Sequence, residues 1–495
     1  MPRTASNASP IGRLFGWLLA SAALALPFLL VDFPPITDLP QQTAQIRLLS
    51  EALADPESPY RIQWLTPYSL SYGAIGLGWL LGGPLAAGRL GMLLIGLLWV
   101  GAVHLLAARR DRATAGAVLA AMLFFSHALY WGFFSFLIGW PAFVLWLMLT
   151  LEPPDPKPWK DLLRFLAAAI LLYMGHALWL AAGGLWLALW SITRPRELLR
   201  NWPRFAAIAP IAMGAAVWFA GLRDTTFSTP ALWVVPPWQR LGPDALRDAA
   251  FGGLKSPLEP LALAVLLLWL VVAVLSNRRQ LAERTDRPLA LAAGFFFGLY
   301  LLLPDKYTNT IFLDDRWLPL ALVCALLALP APRLPKLIRL PLAATLLVLF
   351  VAATSLLWTA IEHQELSGLA ASLEALPDEP RVLGLDLGPP SRFLEGSPFI
   401  QTFAYAQVAR GGELNFSFAE FAPSLVVYDP PRETPWTNGL EWFPAYVQPG
   451  DFAHFSHLLL SADDPGHATL GSKPEIAPIT TEGRWRLYRT TPSEP

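Results

Sequence analysis

Apolar runs of about 20 residues, the length that crosses a bilayer as a helix, recur along this chain with short polar stretches between them. They fall at 12–31, 85–107, 114–131, 134–151, 161–175, 177–193, 205–221, 259–276, 288–304, 316–330 and 342–361. The pattern predicts an α-helical polytopic membrane protein with about 11 transmembrane helices. The run at 67–82 is also apolar, but Gly82-Gly83-Pro84 cuts it off. It reads as a short interfacial or re-entrant helix packed on 85–107. Its Gly73, Gly76 and Gly78 suit close helix packing rather than a nucleotide loop. The stretch 161–193 reads as two spans, or as one long helix broken near Gly175-His176.

Polar material first appears at 32–51, DFPPITDLPQQTAQIRLLSE. Asp32 and Asp38 flank the rigid Pro34-Pro35 pair. An amphipathic helix follows, with Leu39, Ile46, Leu49 and Leu53 on one face and Gln41, Gln45, Arg47 and Glu51 elsewhere. A helix of that kind directly after a span is expected to lie at the membrane–water boundary. A second long polar segment, 222–258, contains Pro236-Pro237 and an amphipathic stretch at 245–254, and suits a lid. Beyond 362 the pattern changes to short alternating runs at 381–387, 424–429, 456–461 and 485–489, which read as strands. A helical stretch at 399–410 is ended by Gly411-Gly412. The domains expected are therefore a transmembrane domain over 1–361, with outside loops 32–66 and 222–258, and a small soluble α/β domain over 362–495.

Composition strengthens the membrane reading. The 495 residues are 54% hydrophobic and 15% charged, against about 25% charged in a soluble protein. A net charge of −1 gives no ground for a nucleic-acid partner. One cysteine, Cys324, allows no intrachain disulfide and no cysteine-based metal cluster. Basic residues gather in alternate connections: Arg109, Arg110 and Arg112; Lys157 and Lys160; Arg194 to Arg204; Arg278 to Arg287; Arg333 to Arg339. By the positive-inside rule these connections and the N-terminus are cytoplasmic, and 362–495 is extracytoplasmic. The run 12–31 leads straight into proline and aspartate with no small-residue cleavage site, so it reads as a retained span in the cytoplasmic membrane.

One span, an acidic outside loop with an amphipathic helix, many further spans and a C-terminal outside domain resemble the GT-C class of membrane glycosyltransferases. That class includes protein O-mannosyltransferases, aminoarabinose transferases and oligosaccharyltransferases. The resemblance covers the architecture of all the spans, and its sequence motif is confined to PPITDLPQQTAQI. It implies a polyprenyl-phosphate-linked sugar as donor, an envelope acceptor, membrane lipids as partners and a functional aspartate in the first outside loop, where Asp38 or Asp32 stands. The acidic dipeptide followed by a tyrosine, usual in that loop, is absent here.

Each candidate residue has a plain structural alternative. Asp38 could deprotonate the acceptor, or simply cap the following helix, with Pro40 in its first turn and Gln41 at the capping-box position. Asp32 could share the catalytic role or merely mark a span end. Arg316, with Asp315, Lys306 and Tyr307 nearby in sequence, could bind the leaving phosphate or snorkel to headgroups. Arg61 and Arg223 are weaker versions of the same idea. His127 and His176 fall within or at the ends of spans, where ionisable groups are functional suspects, although a hydrogen-bonded structural histidine is commoner. Glu362, His363 and Glu365, like His454 and His457, match no metal-binding spacing, so a divalent metal is not supported. Two other functions remain open: a non-catalytic scaffold of envelope assembly, and a transporter of lipid-linked sugar. The acids cluster at span ends and no two halves match, which ranks transport last.

Overall fold

The structure is a computed structural model that describes residues 9–222, 230–308 and 310–491. Seven of its described helices are long and apolar enough to cross a membrane, and two shorter apolar helices, Ala177–Ile192 and Arg287–Leu302, accompany them. Contacts divide the chain into two compact units. The first comprises Met1–Leu26, Leu94–Leu129 and Phe133–Thr354; the second comprises Pro27–Leu93, Tyr130–Gly132 and Ser355–Pro495. The division cuts the chain along a different line from that expected at residue 361, because the first polar loop and the C-terminal residues form one unit.

In the first unit the helices pack around aromatic side chains. Trp99, Trp140, Trp146, Trp179, Trp186 and Trp317 are all fully buried. Phe136 stacks on Trp179 with ring centroids 5.0 Å apart, and Phe296 stacks on Trp317 at 5.9 Å. Trp179 Nε1 donates to the Phe136 carbonyl at 2.7 Å, and Trp146 Nε1 to that of Gly183 at 2.9 Å. Trp146 and Trp179 thus keep their polar handle satisfied while filling large volumes, whereas the Nε1 atoms of Trp140, Trp186 and Trp317 are buried without a hydrogen-bond partner. The segment 161–193 forms two helices, Pro158–Gly175 and Ala177–Ile192. They part at His176, whose backbone is extended (φ −170°, ψ 140°).

The second unit contains the bend of a long helix, up to Leu93, and the C-terminal sheet. Ser69–Arg109 is interrupted at Gly83 (φ 74°, ψ −174°), a conformation that glycine adopts without strain. The two arms fold back on each other: a Cβ on Gly91 would lie 2.7 Å from the Ile75 Cα, and one on Gly78 would strike the Ala87 carbonyl. Close packing therefore holds for Gly78, but Gly73 and Gly76 face open space, contrary to the sequence reading.

Seven strands follow in chain order: β1 Tyr60–Ile62, β2 Arg381–Asp386, β3 Glu413–Leu414, β4 Val426–Tyr428, β5 His457–Ser461, β6 Ile476–Pro478 and β7 Trp485–Thr490. Five of them form one sheet in the order β3-β2-β5-β7-β6. Here β2 runs parallel to β3 and β5, while β7 is antiparallel to β5 and β6. Leu383, Leu385, Leu458, Leu460 and Tyr488 supply its core. The expected strand at 424–429 exists but lies outside this sheet. As β4 it pairs antiparallel with β1, so that Tyr60 faces Tyr428.

The helix Leu39–Ala54 departs most from expectation. Its Gln41, Thr43 and Gln45 are fully buried rather than wet. Gln41 Nε2 donates to Gln401 Oε1 at 3.0 Å and to the Phe416 carbonyl at 3.1 Å, and its Oε1 accepts from the Phe418 N–H. Gln45 Oε1 accepts from the Val426 N–H at 2.8 Å. Gln41 thus uses both donor and acceptor on distant groups, whereas Gln45 uses only its acceptor and its Nε2 is buried without a hydrogen-bond partner.

Candidate functional site

The acid-bearing loop of the second unit is held by its backbone. The N–H groups of Thr37 and Asp38 donate to the carbonyls of Tyr130 (2.8 Å) and Trp131 (3.3 Å). Gly132 follows with φ +86°, and a Cβ there would lie 2.8 Å from the Asp38 Cβ. Only a glycine lets the chain pass so near. Asp38 stands at the start of Leu39–Ala54 with Pro40 in the first turn, but its backbone is helical (φ −88°, ψ 0°) and its side chain makes no capping hydrogen bond. The capping explanation for this carboxylate therefore fails. Gln41, assigned to the capping box, is committed elsewhere.

Asp32 has different partners. Its carboxylate is largely exposed and pairs with Arg89 Nη1 at 2.5 Å. The N–H groups of Asp32 and Phe33 both donate to Glu362 Oε1, at 2.7 and 2.8 Å. Arg61 sits on β1 and pairs with Asp429 at 3.1 Å, both side chains more than half exposed. Glu362 and Glu365, weighed in the sequence as metal-like, act as clasps. Glu365 is buried and accepts from the Ser391 hydroxyl and the Arg392 N–H, each at 2.6 Å.

The first unit brings four of the sequence candidates together. Arg316 is buried on the turn Asp315–Trp317. Its Nη2 donates to the Ile311 carbonyl at 2.8 Å and its Nε to that of Phe312 at 3.1 Å. The guanidinium lies 3.7 Å from the centroid of the Phe133 ring, a cation–π contact. His127 Nδ1 is 3.8 Å from Asp315 Oδ2, and its ring meets Phe312 edge-on at 4.6 Å. His176 caps Ala177–Ile192 by accepting from the Leu178 N–H at 3.1 Å, and both imidazoles lie within electrostatic reach of Arg316. A cavity of about 10 Å³, the size of one water, is lined by Arg316, Phe136, Trp140, Trp99 and Ser126. Lys306 is apart from this cluster in its bonding: it is exposed, and its backbone bridges to Leu232. Arg223 lies outside the described residues.

Sequence reasoning missed Arg240. Its side chain is 2% exposed and forms ion pairs with Asp305 at 2.8 Å and Asp314 at 3.1 Å. It also donates to the carbonyls of Val235, Tyr300 and Leu303 at 3.1, 2.8 and 2.7 Å. Burial pushes Asp315 up to about 8, and the neighbouring Asp314 and Asp305 charges add to the rise. Burial likewise raises Asp314 to about 6, with Arg240 pulling it back. Nothing marks Arg240 in the sequence, since its acidic partners lie 65 and more residues away.

This arrangement of helices has a GT-C-like fold. It is similar to the crystal structure of ArnT from Cupriavidus metallidurans in the apo state, with a TM-score of 0.53 and 14% identity over 96% of this chain and 98% of that one. It is similar also to the structure of the same protein bound to undecaprenyl phosphate, with a TM-score of 0.54 and 13% identity over 97% and 98%. No family profile and no curated protein sequence matches the chain.

Proposed function

We propose that this chain is a GT-C-type membrane glycosyltransferase that moves a sugar from a polyprenyl-phosphate donor to an envelope acceptor on the outer face of the cytoplasmic membrane. The observation that carries the reading is the fold likeness, over nearly the whole of both chains, to a protein solved with undecaprenyl phosphate. In this reading the chain crosses the membrane about eleven times, with the N-terminus inside and the C-terminal α/β part outside. Asp38 is the carboxylate that deprotonates the acceptor, with Asp32, paired with Arg89, as the alternative. Arg316 meets the phosphate of the leaving lipid, with Lys306 adding positive charge. Asp315, His127 and His176 shape the surroundings of Arg316. Direct attack on the lipid-linked sugar inverts the anomeric centre. Cationic side chains, rather than a divalent metal, neutralise the leaving phosphate.

The test is transfer of labelled sugar from undecaprenyl-phosphate-linked donors to envelope material in membranes. Asp38→Asn is expected to lower the rate by about 10²–10⁴-fold, the usual worth of a positioned general base. Wild-type rates in both Asp38→Asn and Asp32→Asn remove the two proposed bases. A second reading, a non-catalytic scaffold of envelope assembly, is favoured by the small volume beside Arg316 and by the two carbonyls that occupy its donors. That reading expects no transfer by the wild-type protein from any such donor.

A further inference from the structure

We infer that Arg240 is a positioning residue for Arg316. The inference rests on the reading that Arg316 takes the lipid phosphate, but its first readout does not. Arg316 donates to the carbonyls of Ile311 and Phe312, so 311–316 is a loop closed around its own guanidinium. The loop contains Asp314, whose Oδ2 is 3.1 Å from Arg240 Nη1. Its other tie to the same place is the Leu313 N–H, which donates to the Asp305 carbonyl at 3.0 Å. Asp305 in turn accepts from Arg240 and from the N–H groups of Val234 and Val235. Arg240 is therefore the one cation, among the described residues, that bridges Asp314 in the middle of the Arg316 loop and Asp305, whose backbone carbonyl holds the adjacent Leu313.

The geometry leaves it little alternative. Arg240 is buried and its own carbonyl accepts from the Tyr300 hydroxyl at 2.8 Å. Asp314 Oδ1 is buried without a hydrogen-bond partner, so this carboxylate depends on Arg240 for compensation. Without the guanidinium, Asp305 and Asp314 repel each other and the Arg316 loop loses its anchor. The planar fork serves two carboxylates and four carbonyls at once, which a lysine ammonium cannot.

The experiment uses the full chain in detergent. Arg240→Gln and Arg240→Lys are compared with wild type by hydrogen exchange and by binding of purified undecaprenyl phosphate. Exchange over 311–317 and 232–241 is expected to rise about tenfold or more in both variants, with 134–151 unchanged, because opening is local. Lipid affinity is expected to fall about tenfold. Unchanged exchange over 311–317 overturns the inference whatever the lipid does. Faster exchange with wild-type lipid affinity also overturns it. Faster exchange in a protein whose wild type does not bind the lipid supports the positioning of Arg316 and sinks the phosphate reading alone. Should neither variant fold, Asp314→Asn, which keeps an oxygen for Arg240, is read by the same criteria with smaller changes expected.

Discussion

The Asp38 loop and the Arg316 loop are both fixed tightly, but by different physics. Asp38 is set by neutral contacts: two backbone hydrogen bonds to 130–131, the glycine at 132, and a following helix whose glutamines bond to distant backbone. The Arg316 loop is set by charge: the buried Arg240 guanidinium is shared between Asp305 and Asp314, with Asp315 alongside. Neutral anchoring is insensitive to pH and fails when shape is altered. Charged anchoring tolerates small shape changes but fails when one partner is removed or titrated.

The largest effect should come from breaking the charged side. Arg240→Met strands two carboxylates in the interior and is expected to lower stability by about 3–5 kcal/mol, read as a fall in the thermal midpoint in detergent. On the neutral side, Gly132→Ala puts a methyl 2.8 Å from the Asp38 Cβ at φ +86°. A cost of about 1–3 kcal/mol is expected, with transfer activity falling more than stability because Asp38 moves.

Titration separates the two regions without mutation. Asp315 holds its proton in the fold from its ordinary value near 4 up to about 8. The folded state binds more protons than the unfolded one over that window. Stability should therefore decline as pH rises from 5 to 8, and Asp315→Asn should flatten the profile. Superposable pH profiles for wild type and Asp315→Asn would remove the charged account. The smallest effect belongs to Asp32→Asn. Its ion pair with Arg89 is exposed and is worth less than about 1 kcal/mol, so the midpoint should barely change.

Much of the framework was legible in the sequence. Long apolar runs set the helices, Gly82-Gly83-Pro84 marked the bend, and Gly411-Gly412 the end of the helix before β3. The four long strand-like runs all became strands. What could not be read was pairing at a distance. Gln41 and Gln45 looked wet because polar residues normally are; their partners lie 360 and 381 residues on. The partner of β4 is a strand of three residues, too short to show alternation. Arg240 passed unnoticed, since backbone carbonyls leave no sequence signature. Arg316, Asp315, His127 and His176 were readable because ionisable residues stand out against apolar runs, and they do converge in one unit.

The bend at Gly83 has a consequence for the surrounding lipid. From Ser69 to Gly83 the arm rises about 21 Å, short of the roughly 30 Å hydrocarbon thickness. Leu77, Leu80 and Leu81 project from it, the last two about 80% exposed. A re-entrant arm of that reach would displace acyl chains from a single leaflet and leave the opposite one filled, giving the protein unequal areas in the two monolayers.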